Sequence, residues 1–241
     1  MTRRVKQEIS VETREMIAWV AGLGAASAEA LARARGIGVA SARARLSLAE
    51  RRGLLAVWRP LREQAALYTA TRAGLQGAGV EGLEPARVSP GGTRHAVLCS
   101  LVAAELAHRY RGERVIGEAE LRRCEREARV SLASIPPLRP GQAAHRPDLV
   151  LVPRGIGAPV AVEVELTVKS PRRLAAICRS WGRSRHLAGV LYLATEPVRP
   201  ALARAIEQAG ARSRIAVLEL ETFESGEQRT GAIERAITGA A

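Results

Sequence analysis

The sequence predicts an α/β (α+β) protein in two parts, a small helical unit closed by a β-ribbon and then a mixed sheet flanked by helices. Three observations carry that expectation. The chain has 241 residues, enough for two modest cores. Helical periodicity dominates as far as about residue 79. Five strand-like runs follow residue 110, the later ones separated by helical segments. Apolar residues make up 47% and charged residues 25% of the chain, which excludes wholesale disorder and fibrous repeats. No uninterrupted apolar stretch approaches the roughly 18 residues of a membrane helix. The opening Met1-Thr2-Arg3-Arg4-Val5-Lys6 leads into an amphipathic segment and not an apolar signal core, so the expected location is cytoplasmic, with no membrane partner.

In order, Ile17, Val20 and Ala21 form one stripe of a helix from about Val11 to Gly22. Residues 26–35 give a second helix with a serine N-cap, ended by Gly36-Ile37-Gly38, and a third runs from about Val39 to Arg52. Leu54, Leu55, Val57 and Trp58 read as a strand, 59–64 as its turn, and Ala66-Leu67-Tyr68-Thr69 as the returning partner. Another helix opens at Thr71. Residues 81–92 collect Gly and Pro without periodicity, which makes them the expected linker between units 1–80 and 93–241. Beyond it come a helix from Thr93 to Tyr110, with Val97, Leu98, Leu101, Val102 and Leu106 inward, and a strand near Arg114 to Glu120. Strands 148–152 and 160–168 follow, the short connection between them requiring antiparallel pairing. A helix from Pro171, a strand at 189–193, a helix from Pro200 and a strand at 215–220 complete a mixed sheet.

Charge narrows the partner. Thirty-seven basic residues against 24 acidic ones leave +13, a surplus suited to a polyanion such as nucleic acid. Both halves share it. Only two lysines, Lys6 and Lys169, and one aspartate, Asp148, occur, and Asp148 and Lys169 fall close together. The cysteines Cys99, Cys124 and Cys178 show no metal-type spacing and read as buried or incidental thiols. Trp19, Trp58 and Tyr192 read as core.

Around Lys169 the residues suggest chemistry. In Ala161 to Lys169, Val162, Val164, Leu166 and Val168 alternate with Glu163, Glu165, Thr167 and Lys169, so one face would hold the core and the other charge. Asp148, after Pro147 at the start of the neighbouring strand, can approach Glu163 across the hairpin. Carboxylates converging beside a lysine make a hard-oxygen site suited to Mg²⁺ or Mn²⁺. Lys169 stands about 13 Å from Glu163 if the strand stays extended. His145, three residues before Asp148, is the favoured accessory, ahead of His95. Glu120 is either a further carboxylate or a salt-bridge partner of Arg122 or Arg123. The segment 122–129 reads as a charged helix in preference to a DNA-facing arm.

Helix, turn, helix and ribbon, with the phrase Leu67-Tyr68-Thr69-Ala70-Thr71-Arg72-Ala73-Gly74, resemble a winged helix-turn-helix over about the first 80 residues. The resemblance implies a recognition helix at 39–52 in the major groove of double-stranded DNA. Ser41, Arg43, Arg45 and Ser47, with Arg51 and Arg52 at its end, suit base or phosphate contact, and Arg59 and Arg62 would touch DNA from the wing tip.

The order helix, strand, strand with Pro147-Asp148, strand with Glu163-Val164-Glu165, helix, strand resembles the PD-(D/E)XK nuclease superfamily, a restriction-endonuclease-like fold. That resemblance implies Asp148 and Glu163 as ligands of the divalent ion that activates water. It departs where the superfamily's lysine is Glu165 here, leaving Lys169 as an imperfect substitute. Thr93-Arg94-His95, Glu118 to Arg122, His145 to Asp148, and Val162 to Ser170 followed by Arg172-Arg173 resemble the replication-relaxation family of plasmids and mobile elements, which joins a winged helix to a nuclease-like domain. The resulting expectation is a double-stranded DNA-binding protein with a metal-dependent endonuclease domain. The alternative is a non-catalytic transcriptional regulator or replication accessory protein whose nuclease-like domain serves dimerisation or DNA contact. Monomer and homodimer both stay open.

Overall fold

Helix α1 (Val11–Leu23) begins where Ser10 Oγ accepts the Thr13 N–H, and its Met16, Ile17, Val20 and Ala21 turn inward. The computed structural model describes residues 9–59, 65–138 and 140–225. After α1 comes a two-residue strand, β1 (Ala26–Ser27), where the sequence predicts the first turn of a helix. The reason lies in the cap: Ser27 accepts the Ala30 N–H and keeps the extended backbone of an N-cap residue, which leaves it free to pair. Helices α2 (Ala28–Arg35) and α3 (Val39–Arg51) are separated by Gly36, whose φ of 63° lies in the left-handed region. β2 (Leu55–Trp58) and β3 (Leu67–Ala70) form the ribbon, and Thr71 caps α4 (Arg72–Ala78). All pairs in this sheet are antiparallel, in the order β1-β3-β2. At Gly74 a Cβ would lie 1.9 Å from Leu54 O, so only glycine lets α4 approach the strand.

The second part contains α5 (Thr93–Arg109), β4 (Arg114–Gly117), α6 (Glu118–Ala128), β5 (Leu149–Val152), β6 (Val160–Glu165), α7 (Pro171–Arg183), β7 (Gly189–Ala194), α8 (Arg199–Gln208), β8 (Ile215–Glu219) and α9 (Leu220–Ser225). Its five strands lie in sequence order, antiparallel through β4, β5 and β6 and parallel through β6, β7 and β8. Helices α7 and α8 supply the crossovers that parallel neighbours require. The strand expected to reach Glu120 stops at Gly117, because Glu118 and Glu120 occupy the first turn of α6, where acids favour a helix N-terminus.

Two cores sandwich the sheet. Leu174, Ile177 and Trp181 of α7 and Leu202 of α8 pack against Val150, Ala161, Val190 and Tyr192. On the other face, Val102, Ala103 and Leu106 of α5 and Phe223 of α9 cover Leu149, Leu151, Val162, Val164, Leu191 and Leu193. A third core fills the N-terminal unit. Helix α5 also touches that unit: the Ser27 N–H donates to Ser100 Oγ at 3.4 Å, Arg33 pairs with buried Glu105 at 3.3 Å, and Trp58 Nε1 donates to Thr93 Oγ1 at 3.3 Å. Trp58 is therefore not core as expected but 37% exposed at this junction, while Tyr192 is fully buried. No helix among the described residues is long and apolar enough to cross a membrane.

Candidate functional site

The acid site follows from strand register. Leu149 pairs with Val162 and Val150 with Ala161, so one step beyond the ladder Asp148 stands opposite Glu163. Pro147 contributes no N–H there, and Asp148 Oδ2 accepts the Val164 N–H at 2.8 Å. Asp148 Oδ1 lies 3.3 Å from His95 Nε2, which α5 brings from the far face of the sheet. The same nitrogen is 3.1 Å from Val164 O. A carbonyl only accepts, so Nε2 carries the proton. The Asp148 carboxylate, through its hydrogen bond, holds the His95 pKa above its ordinary value against the opposing effect of burial.

Glu163 and Glu165 are each only 5% exposed. The charged face that the alternation predicts is present but covered: β6 lies in the middle of the sheet and all six of its residues are buried. Glu163 Oε1 is 2.7 Å from His145 Nε2. His145 is fixed by main-chain hydrogen bonds in both directions with Ile135, at 2.9 and 3.0 Å, and by edge-on contact with Trp181. Burial is the main force raising the Glu163 pKa.

Lys169 is a correction. β6 ends at Glu165, with Val168 55% exposed, so residues 166–170 do not extend the strand. The chain folds back and Lys169 Nζ binds Glu165 Oε2. Burial lowers the lysine's pKa, and the charges of Glu163 and Asp148 partly offset that. Asp148, Glu163, Glu165, Lys169, His95 and His145 thus border one cavity of about 400 Å³, with Arg94 and Arg146 on its wall. Glu120 is not among them. It lies on α6 against Gly22, paired with Arg114 and Arg123, in the salt-bridge role that was its alternative.

Metal-ligand spacing falls elsewhere than the sequence suggests. Among the described residues, His95, Cys99 and Asp148 form a possible metal-binding cluster, one ligand atom of each lying within 4.8 Å of the others. Cys99, expected to be a buried or incidental thiol, is the member of this cluster that its spacing in the sequence did not single out. The signal was present: His95 and Cys99 are four apart on one helix and so share a face. Burial drives the Cys99 thiol well above its ordinary pKa.

On α3, Ala42, Leu46 and Ala49 face the core. Ser41, Arg43 and Arg51 are exposed and Arg45, Ser47 and Arg52 half-buried. Arg43 pairs with Glu29 at 3.3 Å and Arg45 with Glu12, while Arg59 lies 3.8 Å from Glu50. Arg62 lies outside the described residues. Comparison with protein families, curated proteins and solved structures finds no match for this chain.

Proposed function

We infer that the chain binds double-stranded DNA through an N-terminal winged helix-turn-helix (residues 1–80) and hydrolyses phosphodiesters, with Mg²⁺ or Mn²⁺, in a PD-(D/E)XK-like domain (residues 93–241). One observation carries it: buried Glu163 and Glu165 and half-buried Asp148 and Lys169 all border one cavity walled by arginines. Burying several carboxylates together is costly unless a cation or donor compensates them. The donor set fits a hard divalent ion, since Asp148 and Glu163 offer only oxygen and stand on opposed strand positions. Such an ion supplies acidification of water and screening of charge on the phosphate. The protein's own part is to hold the ion with Asp148 and Glu163, to balance Glu165 with Lys169, and to orient phosphates with Arg94 and Arg146. A role on a plasmid, mobile or defence-related element, as in the replication-relaxation proteins, belongs to the same proposal.

A second reading has its own support. Each acid already has a protein partner, His95 on Asp148, His145 on Glu163 and Lys169 on Glu165, and a site so compensated can be purely structural. The chain is then a non-catalytic DNA-binding regulator or replication accessory. Supercoiled plasmid with Mg²⁺ or Mn²⁺ decides between them. Nicking by the wild type, lost in Asp148→Ala and Glu163→Ala, is the expected result. No cleavage together with salt-sensitive gel shifts selects the second reading, and equal cleavage by all three proteins marks a contaminant and defeats the first.

A further inference from the structure

Helix α5 brings His95 to the cavity and Cys99 beside it, donors that phosphodiester hydrolysis does not require. Cys99 Sγ is 3.7 Å from His95 Nε2, and Asp148 Oδ1 is 3.3 Å from that nitrogen. Val164 O lies 3.1 Å from it as well. An ion held tetrahedrally by bonds of about 2.0–2.3 Å separates its ligand atoms by roughly 3.3–3.7 Å. The two side-chain distances from Nε2 fall in that range, the main-chain one lies just below it, and the ligand atoms of all three side chains lie within 4.8 Å of one another. All three side chains are half-buried, so a path from solvent exists.

We propose that His95 Nε2, Cys99 Sγ and Asp148 Oδ1 form a site for a borderline-soft divalent cation of the zinc class, with the main-chain oxygen of Val164 as a neighbouring fourth donor. Thiolate and imidazole select zinc or cobalt over magnesium, whose preference is for oxygen. Loading releases the Cys99 thiol proton to solvent, while the Nε2 proton of His95 shifts to Nδ1 so that a neutral imidazole binds the ion through Nε2. Three protein side chains with the main-chain oxygen of Val164 complete a tetrahedral set. Because Asp148 belongs to both donor sets, a zinc-class ion competes with the hard ion of the hydrolytic site. Only this competition rests on the hydrolytic reading, and the binding site itself does not.

Titrating the full chain with Co²⁺ tests the site directly, because a cobalt–thiolate bond absorbs in the near ultraviolet and tetrahedral coordination intensifies the visible bands. The expected signal saturates at one equivalent, persists in a large excess of Mg²⁺ and is displaced by Zn²⁺. Cys99→Ser removes the near-ultraviolet band. His95→Ala weakens binding by more than about tenfold, since losing even an outer-shell partner of a ligand produces that much. A Cys124→Ser/Cys178→Ser double variant keeps the full signal, which holds the test open if the Cys99 variant folds poorly. No band in the wild type, or an unchanged band in Cys99→Ser, overturns the proposal. Cobalt binding without any plasmid cleavage defeats the hydrolytic reading alone. With cleavage established, one equivalent of Zn²⁺ lowers the Mg²⁺-dependent rate in the wild type and not in Cys99→Ser.

Discussion

The acid cavity and the outer surface of α3 are the two charged regions from which function was read, and they differ more in burial than in sign. In the cavity, Glu163 and Glu165 are almost inaccessible and each has a partner, His145 from another segment and Lys169 from four residues on. On α3, exposed Arg43 and half-buried Arg45 rest on glutamates of neighbouring helices, in pairs worth about 0–1 kcal/mol each. Abundant surface arginine is expected of a chain with this composition and carries little information alone. A desolvated cluster opposes folding and therefore signals organisation. The arginines of α3 occupy flanking positions, and the small side chains Ala40, Ala44 and Ser47 share its outward side.

Breaking one region tests whether it stands apart from the other. Gly74→Ala drives a Cβ into the Leu54 carbonyl and costs about 3 kcal/mol or more by overpacking against backbone. Since α5 contributes to the contacts of both units, urea denaturation of this variant is expected to show one transition, with both regions lost together. Two separated transitions would refute that coupling.

Glu125 calibrates the energetics of an acid that is well satisfied. Its Oε1 accepts the N–H groups of Leu132, Ala133 and Ser134, and Oε2 accepts the Ser134 hydroxyl at 2.6 Å. Burial pushes its pKa up, but these hydrogen bonds outweigh it and hold the net value down. A depressed folded pKa stabilises the protein above the ordinary glutamate value and loses that contribution as pH falls through the folded value. Glu125→Gln is therefore expected to cost about 2 kcal/mol at neutral pH, the scale of charged hydrogen bonds, and less in acid. Denaturation midpoints at the two pH values check this, and an equal loss at both would contradict it.

Glu163 has the opposite sign. Its raised pKa means that the ionised form opposes folding above the ordinary glutamate range, so Glu163→Gln is expected to be neutral or stabilising by about 1 kcal/mol while cleavage is lost. Marked destabilisation would place Glu163 among structural acids like Glu125. The smallest effects belong to α3. Arg51→Ala is expected to weaken DNA binding and lower the salt slope by about one, the signature of a lost phosphate contact. Arg43→Ala, already tied to Glu29, should do less, and gel shifts over a salt series would reveal the reverse ranking.

Legibility tracked the range of the forces involved. Thr71 as the cap of α4 and Gly36 as the end of α2 are local chemistry and were readable. So was the parity of β6, whose Val160, Val162 and Val164 face α5 as the alternation requires. The strand's end was not readable, because Leu166-Thr167-Val168-Lys169 continues the alternating pattern while the main chain departs from the sheet. Ladder pairing with β7 ends at Glu165, and the capture of Lys169 by Glu165 acts after that.

From its sequence alone, this protein was committed to opposing Asp148 and Glu163, since a short connection allows only an antiparallel hairpin and the side-chain period of two does the rest. Tertiary structure decided which other groups reach those acids. His95 and Cys99 arrive from α5, more than forty residues before Asp148 in the chain, and His145 is fixed by its bridge to Ile135. No local propensity encodes those meetings. They depend on covering both faces of one sheet at once, and that requirement is satisfied only when α5 and α7 are packed in place.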